Sequence, residues 1–238
     1  MKFLNLVLFS TDNSYGNMKD VTTRYYSTLE NVKTIYYRFD PDIQSDYELR
    51  DNVLLIKGRE TFVPGILDKT IKALEYVVNN RLIDDCDYIL RTNVSTVVNF
   101  ANLEREMLPI PFYGGVYAPI LQWLDPKAGI IDNKWFGTQF VSGCGIVFSK
   151  EGVLCLLKNK NLLEKTIVDD VAIGIFFARY LKTAPVVFDR KLWHVWYEHE
   201  NISKNDLNSK VFFRCRDKHG MNRELDVQHL KQIVDMLI

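Results

Sequence analysis

Two aspartates in succession, Asp169 and Asp170, stand just ahead of the apolar stretch Val171-Ala172-Ile173. Carboxylates that open a helix are favoured by its positive end, so from local pattern alone the pair reads first as a cap and a first-turn acid. The alternative is a general base, with one carboxylate held against a hydroxyl that must lose its proton. Upstream, Ser142-Gly143-Cys144-Gly145 places two glycines at the entrance of a strand. Backbone without side chains there either bends as a bulge or lets a ligand come close, and the pattern does not choose between them. A second acid string, Asp85-Cys86-Asp87, has the D-x-D spacing of metal ligands. It precedes the strand expected at Tyr88–Thr92, and at about 3.3 Å per residue it falls roughly 20 Å from that strand's carboxyl end. It therefore reads as turn acids before a buried strand. Cys86, Cys144, Cys155 and Cys215 form no C-x-x-C pair, which argues against a zinc site or a disulfide framework and for reduced thiols.

The elements that must position these groups alternate. Phe3–Ser10 is a continuous apolar run, as expected of a strand covered on both faces. Val32–Phe39 and Val53–Ile56 read as further strands. Leu67, Ile71, Leu74 and Val78 mark one face of a helix between Pro64 and Asn80. After the strand Tyr88–Thr92 comes a short helix near Phe100–Met107, then strands at Phe112–Tyr117, Gln139–Val141 and Gly145–Phe148. Helices are expected over Lys150–Leu157, Asp170–Leu181 and Arg223–Leu237. Such alternation predicts one α/β domain with a mostly parallel sheet and helices on both faces, where ligands bind beyond the carboxyl ends of the strands. The 238 residues, 47% hydrophobic and 25% charged, suit a single large domain with a sizeable core. Lys+Arg and Asp+Glu both number 30, so no long-range positive field would gather nucleic acid or anionic lipid. No segment approaches the roughly 20 apolar residues of a membrane span, and the amino terminus lacks a secretory cleavage site.

Three stretches, in order, resemble the β1,3-galactosyltransferase and fringe families of GT-A glycosyltransferases. Lys57-Gly58-Arg59-Glu60-Thr61-Phe62 followed by Leu67-Asp68-Lys69-Thr70 is similar to a segment ending in L-K-T. Tyr88-Ile89-Leu90-Arg91-Thr92-Asn93-Val94-Ser95 looks like F-L-L-K-T-D-D-D. Trp135-Phe136-Gly137-Thr138 through Gly143-Cys144-Gly145-Ile146, followed by Asp169-Asp170-Val171, is similar to W-F-A-T-G-G-A-G-F and P-D-D-C. The resemblance spans roughly residues 55–200 and implies a GT-A fold, Rossmann-like, over 1–238, with a nucleotide-binding half (1–100) and an acceptor-binding and catalytic half (101–238). It departs at the acidic triplet that holds a divalent ion in those families, which is Asn93-Val94-Ser95 here. Mn²⁺ and Mg²⁺ prefer carboxylate oxygen, so no metal site is assigned and no cofactor is required, although an ion can arrive with the donor.

By this resemblance Asp170 is the base of an inverting sugar transfer, with Asp169 second. The donor site draws on Ser10, Thr11, Asp40, Lys57, Lys69, Arg91, Asn93, Ser95, Gly143 and His194, with Asp40 (or, more weakly, Asp12) placed for uracil or ribose. Without a metal the leaving diphosphate needs cations, and Lys57, Arg59, Lys69 and Arg91 flank the expected edge, although each by default is a solvated surface charge. Ser142, Trp123 and Trp135 are the acceptor candidates; aromatic residues are otherwise mostly core. The expected activity is transfer from a nucleotide-diphosphate sugar, UDP-linked by preference, to a glycan or glycoconjugate hydroxyl. The expected setting is cytoplasmic, as a microbial or viral enzyme or an excised domain, with neither nucleic acid nor membrane insertion. The alternative is a degenerate member that binds sugar or nucleotide without catalysis.

Overall fold

The computed structural model describes residues 1–11, 13–189, 193–196, 203–216 and 222–238, with backbone alone at 13 and 193–196. Its centre is β1 (Phe3–Leu8), flanked in parallel by β2 (Val32–Asp40) and β5 (Tyr88–Asn93). Side chains of a strand alternate between faces, and β1 shows the result. Leu4 and Leu6 enter one apolar core, Phe3 and Val7 the other. Beyond β2 lie parallel β4 (Val53–Lys57) and antiparallel β3 (Tyr47–Arg50). On the other side of β5 the sheet turns antiparallel, through β8 (Gly145–Ser149) and β7 (Tyr113–Gly115), before β9 (Val186–Val187) closes the edge in parallel. The sheet therefore has eight strands, ordered β3-β4-β2-β1-β5-β8-β7-β9.

The helices α2 (Gly65–Asn79), α4 (Lys150–Lys158) and α5 (Asp169–Ile175) cover one face. The first of these carries Leu67, Ile71 and Leu74, all buried, as their spacing predicts. On the other face lie α1 (Asn13–Tyr26), α3 (Phe100–Glu106) and α7 (Arg223–Leu237). A second sheet of three strands packs there: β6 (Thr96–Val98) pairs antiparallel with β11 (Phe212–Cys215), and β11 pairs in parallel with β10 (Trp193–Trp196). A sixth helix in chain order, α6 (Lys204–Ser209), is opened by a Ser203–Asp206 capping box and leads into β11.

Two features of this architecture shape the carboxyl edge. The chain leaves the large sheet at Asn93 and enters the small one at Thr96, so Asn93-Val94-Ser95 is the turn joining them. Pairing of Thr92 with Gly145 sets the Ser142–Cys144 loop beside the carboxyl end of β5. The strand expected at Gln139–Val141 is instead irregular, tied by a single bridge from Gln139 to Ile120. Among the described residues no helix is long and apolar enough to cross a membrane.

Candidate active site

The floor of the site is a buried ion pair. Arg91 leaves β5 toward the α2–α5 face, where its Nη2 lies 2.7 Å from Asp169 Oδ2, with both side chains almost fully buried. Its Nη1 donates to the Gly143 carbonyl and to Asn93 Oδ1, the latter at 2.8 Å. Thr70 Oγ1 lies 3.4 Å from the same Asp169 oxygen and 3.0 Å from Tyr37 Oη. Burial alone would depress the guanidinium's affinity for its proton. Asp169 and then Tyr37 more than offset this, and Arg91 is held charged above its ordinary range. One side chain thus joins β5, the Asn93 turn, the Gly143 loop and the start of α5.

Asp170 faces the other way. Its Oδ2 accepts from the Gly143 N–H at 2.9 Å and its Oδ1 from the Val171 N–H at 2.9 Å. The N-cap residue of α5 is Val168, so both aspartates stand inside the first turn, and Asp170 takes one of that turn's N–H groups. Burial, then the neighbouring Asp169, raise the Asp170 carboxyl to about 6, against the opposing effect of the Gly143 hydrogen bond and Arg91. Gly143 fits this corner because it has no side chain. A Cβ there would stand 2.7 Å from Arg91 Nη1 and 3.4 Å from Asp170 Oδ2.

Two adjoining cavities open over this floor. The first, about 420 Å³, is lined by Asp170, Gly143, Ser142, Tyr117 and Trp123, the last 42% exposed with its ring available at the rim. The second, about 440 Å³, is lined by Ser10, Tyr15, Glu60, Lys69 and Ser95. Asn93 belongs to both walls. The carboxyl edge of the sheet thus gathers most of the sequence-derived candidates, with Arg91 and Asp169 beneath.

Other candidates lie elsewhere. Thr11, Asp40, Lys57 and Trp135 line neither cavity. Asp40 is paired with Arg38 at 2.8 Å and accepts from the Asp42 N–H. Lys57 Nζ donates to the Ile43 carbonyl at 2.8 Å. Trp135 packs against the core beneath the Lys134 ammonium, 4.3 Å from its ring centre. Lys69 does line the second cavity, but its ammonium is held by Glu60 Oε2 at 2.5 Å and the Phe9 carbonyl at 3.2 Å. Burial lowers its pKa, with Glu60 acting in the opposite direction. The role assigned to the His194 side chain, like that of Asp12, lies outside the described residues. Asp87 Oδ2 accepts from the Lys2 N–H at the opposite end of the sheet, where the Asp85-Cys86-Asp87 turn was expected.

The cavities bring in cations that pattern reading missed: Arg214 from β11, Arg223 from α7, and Arg216. The available signal was Val211-Phe212-Phe213-Arg214-Cys215, a charge inside an apolar run. Divalent-ion chemistry finds a poor donor set here. Asn93 Oδ1 already accepts from Arg91 and Ser95 Oγ from Arg214, so both turn oxygens face guanidinium groups. Among the described residues no three of His, Cys, Asp and Glu gather as metal ligands.

In solved structures the chain is similar to a glycosyltransferase involved in the glycosylation of the major capsid of PBCV-1. The two superpose with a TM-score of 0.50 over 98% of this chain and 100% of that one, at 10% sequence identity. The fold is GT-A-like. No protein-family model matches the sequence, and no curated protein does. At this identity the likeness describes the architecture, and the chemistry has to come from the site.

Proposed function

We propose that the protein is an inverting glycosyltransferase that moves a sugar from a nucleotide-diphosphate donor, UDP-linked by preference, to a glycan or glycoconjugate hydroxyl. The observation that carries this reading is the Asp170 corner. A carboxylate with a pKa of about 6 stands in the wall of an open cavity, oriented by two backbone N–H groups, in a GT-A-like fold. At pH 7 such a group is mostly ionised yet more basic than an ordinary aspartate, which suits a general base.

The nucleoside occupies the second cavity, near Ser10 and Tyr15, and the donor sugar lies by Gly143 and Asp170. The acceptor enters from the Trp123 and Ser142 side of the first cavity, with its hydroxyl against Asp170. Its oxygen attacks the anomeric carbon as Asp170 takes the proton. The bond from that carbon to the diphosphate breaks with the electron pair leaving on phosphate oxygen. Attack opposite the leaving group inverts the anomeric centre. Asp169 does not share this work; it holds Arg91, which fixes the Gly143 loop against which Asp170 is aligned. Transfer needs no protein-bound divalent ion, although Mg²⁺ or Mn²⁺ can accompany the diphosphate.

Asp170→Asn tests the reading. Turnover should fall roughly 10²- to 10⁴-fold, the usual worth of a general base, with donor affinity little changed. Transfer near the unmodified rate would remove Asp170 from the mechanism. Nucleotide binding without any turnover in the unmodified protein would favour the non-catalytic alternative, which the missing acidic triplet keeps in view.

A further inference from the structure

Six residues belong to the walls of both cavities: Leu8, Phe62, Ile66, Asn93, Arg214 and Arg223. The first three are apolar and Asn93 is a neutral amide, so the formal charge at the junction comes from two guanidinium groups. Arg214 sits opposite Thr96 in the β6–β11 pairing, one residue past the Asn93-Val94-Ser95 turn. No described carboxylate pairs with it. Its Nη1 donates to Ser95 Oγ and, at 3.5 Å, to Thr96 Oγ1, both uncharged. Arg223 comes from the first turn of α7, where its Nη1 lies 2.7 Å from Asp226 Oδ2. Its Nη2 donates to Tyr15 Oη at 3.2 Å, and the guanidinium lies 5.4 Å from the centre of the Tyr15 ring. Exposed Arg216 joins them at the wall of the first cavity.

Two partly buried guanidiniums with one described carboxylate between them leave the junction positively charged, and they are planar forks matched to phosphate oxygens. Any carboxylate ligand would find the same charge, but a span that links a nucleoside-sized cavity to one holding a base calls for an anion between two larger groups. We propose that Arg214 and Arg223, with Arg216 at the mouth, form a diphosphate site that takes the place of a carboxylate-bound metal ion. The assignment of the anion as the donor's diphosphate rests on the proposed transferase activity; the anion site itself does not. During transfer the diphosphate gains negative charge as its bond to the sugar breaks, so cations fixed at the junction stabilise the transition state more than the ground state. The turn oxygens support this arrangement. An ion seated on Asn93 Oδ1 and Ser95 Oγ would have to compete with Arg91 and Arg214 for the same lone pairs.

Inorganic pyrophosphate is the probe, titrated calorimetrically into the full chain in EDTA. The unmodified protein should bind it, and Arg214→Gln should weaken binding about 10- to 100-fold, as for loss of a charge-assisted contact. Arg214→Lys, which keeps charge without the fork, should fall between them, and Arg105→Gln, at an exposed position of α3, should bind as the unmodified protein does. Should Arg214→Gln fail to fold, phenylglyoxal labelling of the unmodified protein gives the answer: pyrophosphate should slow modification of the peptide containing Arg214. Equal affinity in a folded Arg214→Gln protein, binding that requires Mn²⁺, or labelling indifferent to pyrophosphate would each overturn the site. Should Asp170→Asn retain full transfer activity, the assignment of the base fails while the anion site, read from pyrophosphate binding to the unmodified and Arg214→Gln proteins, stands.

Discussion

Arg91 on β5 and Arg214 on β11 carry the same charge and both bond to the Asn93-Val94-Ser95 turn, yet they are used in opposite ways. Arg91 is closed in beneath the cavities, paired with Asp169 and bonded to two further acceptors. Arg214 stands in the wall, bonded only to hydroxyl oxygens among the described residues. The neighbouring aspartates repeat the contrast: Asp169 is locked into the floor, whereas Asp170 is held by backbone N–H groups at the cavity surface. A charge with a buried counterion has its field largely cancelled and serves as structure. A charge oriented by neutral dipoles keeps its field for a ligand. The difference between floor and wall is therefore one of partners rather than residue type.

The sharpest way to break this comparison is to open the floor. Arg91→Leu leaves Asp169 as an uncompensated buried carboxylate and should cost about 3–5 kcal/mol of stability, read from urea unfolding. Replacing both partners with apolar residues should recover much of that loss, because no lone charge remains. Asp170→Asn should behave oppositely. The folded-state pKa of about 6 lies above the unfolded value of about 3.9, so proton binding favours the folded state. That contribution is fully present below about pH 4 and is lost as pH rises through about 6. At pH 7 the ionised carboxylate is a burden to the fold, and the Asn variant should be no less stable than the unmodified protein. A large loss of stability in Asp170→Asn would place Asp170 in the floor with its neighbour.

Next in size is the pH profile. With Asp170 as base, kcat/KM should fall about tenfold per pH unit below roughly pH 6 and level off above it. A rate flat between pH 5 and 7 would contradict the assignment. The smallest expected effect is at Lys57, whose ammonium is turned to the Ile43 carbonyl away from both cavities. Lys57→Ala should change kcat/KM by less than about twofold, and a tenfold loss would mean that the edge of β4 reaches the donor after all.

Long apolar strands and a helix with a clean stripe were legible in the residues alone. The run Phe3–Leu8 and the stripe Leu67, Ile71, Leu74 owe their form to burial, which is written directly in residue type. Helix α1 was not legible. Asn13-Ser14-Tyr15-Gly16-Asn17 favours caps and turns, and its place is set by packing against α7 far along the chain. The small sheet escaped notice for a related reason: strands of three or four residues carry too few alternations to show a period. At the site, Asp170 and Gly143 stood in a recognisable string, and the structure gives them a shared hydrogen bond. The basic residues did not sort themselves, because charge is visible in sequence while its partner is not. Nothing local distinguishes Lys69, neutralised by Glu60, from Arg214, which faces a cavity.

The docking of α7 against α1 has a consequence for the order in which the molecule becomes competent. Arg223 meets Tyr15 across 208 positions of chain and Arg24 meets Asp235 across 211. The Tyr15 side of the junction thus joins residues of α1 to residues synthesised some 208 positions later. During synthesis the large sheet can assemble through β8 while β11 and α7 are still absent. Closing loops of that length is slow and comes late in folding. A nascent chain with its central sheet formed would still lack Arg214 and Arg223, so its affinity for an anionic ligand should arrive in one step, together with the completed fold.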